Sequence, residues 1–305
     1  MKLSNTPVDS LMMFDRQIFI KRDDLLHPEF SGNKARKFAY FLAHDFPGAK
    51  KLIGYGSPQA NSLYSMSALA KLKGWTLDFY VDHIAAQVKS QTEGNYVEAC
   101  ANGANVIDLS ERHDREGRSC EEYIKEKALI DETQALFVPE GGRCEYAEFG
   151  VAQLAREIVD WAVQANLEQL KVFLPSGTGT TALFLNKYFI ESGSNIRVLT
   201  CACVGGDEYL NLQFTQLSQF KTFYPEIISL PKKYHFGKLY RECYEMWQRI
   251  DKQGIRFELL YDPVGWIALE AYLKSASEQT SIIYIHQGGL LGNASMLPRY
   301  KRKFG

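Results

Sequence analysis

Short apolar runs alternate with stretches of helical periodicity along most of the chain. Ile18-Phe19-Ile20-Lys21-Arg22 reads as a strand, and from Lys34 to Ala43 the residues Phe38, Phe41 and Leu42 fall on one side of a helix. Lys51-Leu52-Ile53-Gly54-Tyr55 is a second strand. A Gly/Ser/Pro turn and a helix through Ser65 to Leu72 follow it, with Gly74 as the stop. Leu77 to Val81, a helix over Glu93 to Asn102, and Ala104 to Leu109 then complete a β-α-β-α-β pattern. The second half repeats this alternation. It has a long helix from Gly150 to Ala165, the strand Lys171 to Leu174, a helix from Ala182 to Ile190, and strands at Val198 to Ala202 and Ser281 to His286. Such a sequence of elements predicts an α/β fold with parallel sheets wrapped by helices. Ligands of such sheets collect beyond the carboxyl ends of the strands, where the turns after Tyr55 and Leu174 both fall.

Composition narrows the picture. A chain of 305 residues accommodates one large α/β domain or two lobes, and 46% apolar residues supply a sizeable core. The formal net charge of −1 gives no electrostatic reason to expect nucleic acid as partner. No apolar run approaches the ~18 residues of a membrane span, and the first nine residues lack the apolar stretch of a secretory signal. The six cysteines are scattered without CxxC spacing. Cys201 and Cys203 share one face of a strand, where packing is the better reading than metal, and no metal site is expected. Free thiols point to the cytoplasm.

Two segments carry candidate chemistry. In Phe30-Ser31-Gly32-Asn33-Lys34-Ala35-Arg36-Lys37 a lysine opens a helix, and a lysine amine forms a Schiff base with an aldehyde cofactor. In Pro175-Ser176-Gly177-Thr178-Gly179-Thr180-Thr181 a small, hydroxyl-rich turn enters a helix, an arrangement that surrounds a phosphate with backbone N–H groups. Together they read as the two halves of a pyridoxal phosphate (PLP) site. Lys37, one turn beyond Lys34, is placed to add a charge to the phosphate. The helix start after Gln59 is a seat for a substrate carboxylate.

With these segments the chain resembles the tryptophan-synthase-β-like PLP enzymes of fold type II. Within them it is most similar to the D-cysteine desulfhydrase and 1-aminocyclopropane-1-carboxylate (ACC) deaminase family. Six ordered motifs carry the resemblance: Ile20 to Leu25 with Ser31 to Lys37, Gly56-Ser57-Pro58-Gln59-Ala60-Asn61, Val138-Pro139-Glu140-Gly141-Gly142, Ser176 to Thr181, Asp262-Pro263-Val264, and Ile285-His286-Gln287-Gly288-Gly289-Leu290. It implies two α/β lobes with the cofactor in the cleft, a small one over residues 38–136 and a large one over 1–37 and 137–305, and a homodimer. It further implies Lys34 as the cofactor lysine and the base at Cα, and Asn61 as partner of the cofactor 3-hydroxyl. Gly177, Thr178, Gly179, Thr180 and Thr181 are implied as the phosphate cradle, with Gln59, Ala60, Asn61 and Trp266 on the substrate. The activity implied is a lyase or deaminase on a small amino acid, with D-cysteine β-elimination as the family default.

Two positions depart from the family pattern. Gln-Ser-Asn is here Gln59-Ala60-Asn61, without the serine hydroxyl, and Asp-Pro-Val-Tyr is here Asp262-Pro263-Val264-Gly265, without the tyrosine. Both losses weigh against ring opening of ACC and less against loss of a thiolate, a good leaving group. They leave room for a racemase- or dehydratase-type reaction on another small amino acid, or for cofactor binding with little catalysis. Tyr55, Ser57 and Tyr64 are the nearby hydroxyls, each with an ordinary structural role as its first reading. The same holds for His286. Ala60→Ser combined with Gly265→Tyr is expected to raise turnover of D-cysteine.

Overall fold

The computed structural model describes residues 3–30 and 32–305. Two strands open the chain, β1 (Val8–Met13) and β2 (Arg16–Lys21), followed by α1 (Gly32–Ala43). Then come β3 (Lys51–Tyr55), α2 (Asn61–Lys73), β4 (Thr76–Val81), the short α3 (Ala86–Lys89), α4 (Asn95–Ala101), β5 (Ala104–Asp108), α5 (Cys120–Tyr123) and β6 (Ala135–Val138). The remainder is α6 (Ala147–Gln164), β7 (Leu170–Ser176), α7 (Thr180–Glu191), β8 (Arg197–Ala202), α8 (Asp207–Leu217), β9 (Glu226–Ile227), α9 (Arg241–Asp251), α10 (Asp262–Leu273), β10 (Ser281–Ile285) and α11 (Asn293–Phe304).

The strands form two sheets, β5-β4-β3-β6 and β1-β2-β10-β7-β8-β9. The first is wholly parallel, and so is the second from β2 onward. The exception is β1, which pairs antiparallel with β2 and corrects the all-parallel expectation. Its hairpin turns on Phe14 and Asp15, both at positive φ (57° and 58°), as a two-residue turn between right-twisted strands requires. No glycine or asparagine marks this turn in the sequence, which hid the strand. The boundary expected between residues 37 and 38 falls inside α1, an unbroken helix.

Strands β7, β10 and β2 are near-continuous apolar runs because helices cover both faces of their sheet, and their side chains fill two distinct cores. Cys201 and Cys203 lie in the first of these, their sulfurs 4.0 Å apart. The smaller sheet packs on α1 and α2 through Phe38, Phe41, Leu52, Leu63, Leu69 and Phe79.

A buried ionic network seats α1. The fully buried Arg36 guanidinium donates to Asp23 (2.8 and 2.9 Å) and to Glu157 on α6 (2.7 and 2.9 Å). Lys21 reaches the same Glu157 at 2.7 Å and donates to the Thr6 carbonyl, while the Thr6 hydroxyl donates to Asp23. Two cations and two carboxylates balance, and no charge is left alone out of water. Truncating Arg36 leaves Asp23 without a cation and Glu157 with Lys21 alone, so Arg36→Met is expected to lower stability by ~3–5 kcal/mol in urea unfolding. A loss below ~1 kcal/mol would show that the network does not constrain the helix.

Candidate active site

Three segments leaving the carboxyl ends of strands, with the start of α1, enclose a cavity of about 430 Å³. They are the turn after β3, the loop after β7 and the segment after β10. Gln287 ties two of them to α1: its carbonyl accepts from the Asn33 N–H at 3.1 Å, its side-chain oxygen from the Asn33 amide at 2.9 Å, and its own amide donates to the Pro175 carbonyl at 2.8 Å. Gly32 (φ +67°) passes so close to Gln287 that a Cβ there would overlap its carbonyl oxygen at 1.6 Å. Only glycine starts this helix.

Lys34 in the first turn of α1 lines this cavity, and with Asn33, Asn61 and Gln287 it also borders a neighbouring one of about 300 Å³. Burial pulls its ammonium down to about 8, against a smaller opposing pull from the Glu140 carboxylate. At neutral pH roughly a tenth of such an amine is uncharged and nucleophilic, against far less than one per cent of an ordinary lysine. Lys37 lies one turn on and donates to the Gly141 carbonyl at 2.9 Å. Burial, and then the charge of Lys34, hold it well below the ordinary range.

Across the cavity, β7 ends at Ser176 and Gly177-Thr178-Gly179 leads into α7. Gly179 holds φ +67°, and a Cβ there would meet Phe214 at 2.4 Å and Leu210 at 2.6 Å. The backbone therefore turns sharply and aims the first N–H groups of a twelve-residue helix at the cavity. The hydroxyls of Thr178 and Thr180 are 3.0 Å apart, and the buried Thr181 hydroxyl has no partner among the described residues. An orphaned buried hydroxyl costs ~1–3 kcal/mol unless a ligand completes it. This anion cradle, facing a lysine of lowered basicity, fits PLP. Lys34 would hold its aldehyde carbon and Gly177 to Thr181 its phosphate.

Asn61 is the first residue of α2, and its side-chain oxygen accepts from the Asn95 amide at 2.8 Å. Gly289 approaches it so closely that a Cβ would lie 2.4 Å from the Asn61 amide nitrogen. Gln59 and Ala60 line the cavity, and Ala60 gives α2 no side-chain cap, so the first N–H groups stay open to a ligand. Ser57 lines it too. Tyr55 turns away to Glu121, and His286 is held by the Arg256 carbonyl and stacked on Phe257.

Trp266 is not part of the cavity wall. It is 0% exposed, stacked on Tyr284 at 4.5 Å and packed edge-on to Phe257, and its N–H has no partner among the described residues. The cavity touches only the beginning of α10, at Tyr261 and Asp262. Residues 265 and 266 lie one turn, about 5.4 Å, further into the core. There is also no space at 265, where a Cβ would lie 2.8 Å from the Tyr284 hydroxyl and 3.1 Å from Pro175. The substitution Gly265→Tyr displaces both.

Several cavity residues escaped the sequence reading. Glu258 accepts from the N–H groups of Leu260, Tyr261 and Asp262, and Asp262 accepts from the Tyr284 hydroxyl at 2.7 Å and from the Glu258 N–H. Burial raises both carboxyls, and the three N–H donors to Glu258 oppose its rise. Tyr261 packs its ring on Gly177, and its hydroxyl has no hydrogen-bond partner among the described residues. Glu140, Tyr209 and Arg299 complete the far wall. Tyr261 directly precedes the Asp262-Pro263-Val264 motif, a signal the sequence does carry.

A lysine set opposite an anion cradle, at the strand ends of two parallel sheets, defines a PLP-dependent enzyme of fold type II. Residues 2–229 match the family model described as pyridoxal-phosphate dependent enzyme, and the chain belongs to that family. A putative 1-aminocyclopropane-1-carboxylate deaminase of Pyrococcus horikoshii is 25% identical over 300 residues, covering 94% of this chain and 90% of that protein. A D-cysteine desulfhydrase of Serratia proteamaculans is 28% identical over 188 residues, 58% of this chain and 56% of that one. The crystal structure of an ACC deaminase homologue superposes with a TM-score of 0.80 at 20% identity, covering 98% of this chain and 93% of the other.

The lowered basicity of Lys34 has a measurable consequence. Attachment of PLP to the apoprotein needs the uncharged amine, so its rate is expected to rise about tenfold per pH unit below 8 and to level off above it. A rate still climbing at pH 10 in stopped-flow absorbance would contradict the dry setting of Lys34.

Proposed function

We propose that the chain is a PLP-dependent lyase that removes the amino group of a small amino acid by β-elimination, in the manner of a D-cysteine desulfhydrase. The observation that carries this reading is Lys34, of lowered basicity, sharing one cavity with the Gly177 to Thr181 cradle. When bound, the cofactor takes up the electron pair left at Cα. Everything else falls to the protein. The open N–H groups at the start of α2 seat the substrate carboxylate. Lys34 Nζ, which would hold the cofactor before substrate binds, would receive the proton from Cα. The Cβ–S bond breaks with its electron pair on sulfur, and a hydroxyl returns a proton there. Water then releases the amine as ammonia and leaves a keto acid.

Tyr261 is the hydroxyl we assign to that last proton. Ala60 has none to give, Gly265 has no room for one, and the Tyr261 hydroxyl is uncommitted. General acid assistance is worth ~10²–10⁴-fold, and a thiolate needs the lower end of it. Tyr261→Phe is therefore expected to lower kcat about 100-fold for D-cysteine while cofactor content and KM stay within a few-fold. Unchanged turnover would remove Tyr261 from the reaction.

The absence of a hydroxyl at residue 60 supports a second reading, a cofactor-binding protein with little catalysis. Visible absorbance of the PLP-loaded protein during addition of small D- and L-amino acids separates the two. A band that depends on Lys34 and shifts with one amino acid, with ammonia released, bears out the enzyme. A Lys34-dependent band indifferent to every amino acid supports the second reading, and no Lys34-dependent band defeats both. The reading includes a homodimer, on the family resemblance, and the cytoplasm, where the six free cysteines stay reduced. Among the described residues no helix is long and apolar enough to cross a membrane.

A further inference from the structure

The cavity extends past the cradle as far as α11. Beyond the cradle, Tyr261 packs on Gly177, Phe236 packs on Tyr261 with ring centroids 5.0 Å apart, and Gly237 follows. Arg299 of α11 closes this distal end beside Met296. Its guanidinium has five N–H donors. The structure engages it with the Met296 sulfur at 3.1 Å, a weak acceptor, and the Gly237 carbonyl at 3.2 Å. Among the described residues no carboxylate lies within 4.0 Å of it. Three carboxyls line the same cavity, yet two are committed elsewhere. Glu258 is saturated by three backbone N–H groups and Asp262 by Tyr284 and the Glu258 N–H. Glu140 faces Lys34 and Arg143. A half-buried guanidinium that lines a ligand cavity without an anion is half of a charge pair.

Resting on the β-elimination reading, we infer that Arg299 reads a carboxylate on the leaving group, so that the substrate is a cysteine thioether whose sulfur substituent ends in an anionic carboxylate. Lys34 and the α2 helix start hold the amino-acid end, and Arg299 holds the other. Tyr209, Phe236 and Met296 pack on the carbon chain between them. The Cβ–S bond breaks as above. Sulfur keeps the bonding pair, takes one proton, and departs as a thiol bearing the carboxylate.

Two measurements test this. Calorimetry of the PLP-loaded protein compares glutarate with glutaramate, its monoamide of the same shape, neither of which carries an amine. Glutarate is expected to bind about 10- to 100-fold tighter, Arg299→Gln to abolish the difference, and Arg299→Lys to keep part of it. Equal affinities, or a preference that survives Arg299→Gln in a protein with unchanged Tm, overturn the anion site. The second measurement compares kcat/KM for S-carboxymethylcysteine and S-carbamoylmethylcysteine, in both enantiomers. A preference of at least about tenfold for the carboxylate, lost in Arg299→Gln, supports the substrate class, and its absence overturns it even where glutarate binds. If neither thioether nor any cysteine reacts while the glutarate preference holds, it is the β-elimination reading that has failed, together with the substrate class, and not the anion site.

Discussion

The site depends on where α1 begins, and a buried guanidinium decides that. Arg36 cannot leave its two carboxylates without stranding its own charge and that of Asp23 in a dry core. Its helix is thereby fixed to the β2 exit on one side and to α6 on the other. Lys34 and Lys37 ride on the same helix, one turn apart and on its cavity side. Gln287 sets the remaining degree of freedom, since it bonds Asn33 with one end and the Pro175 carbonyl with the other. The lysine and the phosphate cradle are therefore registered to one another through a single side chain. A shift of either element would break those hydrogen bonds at one end or the other.

That seating also produces the chemistry. Burial disfavours the charge of both ammonium groups on this helix face, and the charge of Lys34 further disfavours that of Lys37. The result is an amine that is nucleophilic near neutral pH without any dedicated base beside it. The cradle works in the opposite sense. Unpaired N–H groups at the start of α7 and the orphaned Thr181 hydroxyl leave positive potential waiting for an anion. An aldehyde carrying a phosphate satisfies both ends at once, and this is why cofactor and fold are legible together.

What the sequence disclosed was what is local in it. Lys34 and the Gly177 to Thr181 turn state their chemistry in adjacent residues, and all strands but β1, β6 and the two-residue β9 appear as apolar runs between turns. The strand β1 was hidden because its hairpin uses Phe14 and Asp15, residues with no turn signature, at positive φ. Between residues 203 and 281 little was read, although Cys243, Trp247 and Ile250 of α9 do fall at helical spacing on a buried face. Glu258, Tyr261 and Arg299 reach the cavity only because separate parts of the chain converge there. No spacing within the chain encodes that convergence. Trp266 failed for the related reason that a sequence match fixes position along a helix and not depth from a cavity.

Tyr261 and Gly265 show what that depth means. They are four residues apart at the start of α10, joined by the hydrogen bond from the Gly265 N–H to the Tyr261 carbonyl, and so share one face. The facing backbone runs the other way: Gly265 lies against Pro175, and Tyr261 against Gly177, two residues further along the β7 exit. A large side chain at 265 would press on Pro175 and on the Tyr284 hydroxyl, which is already bonded to Asp262. A large side chain at 261 meets Gly177 and the Phe236 ring and opens on the cavity. Stacked Trp266 and Tyr284 fill the layer beneath, holding Asp262 and, through it, the Glu258 N–H. Bulk missing at 265 and bulk present at 261 are thus one packing solution: the helix delivers its aromatic hydroxyl from the turn that touches the cavity, and the turn below it belongs to the core.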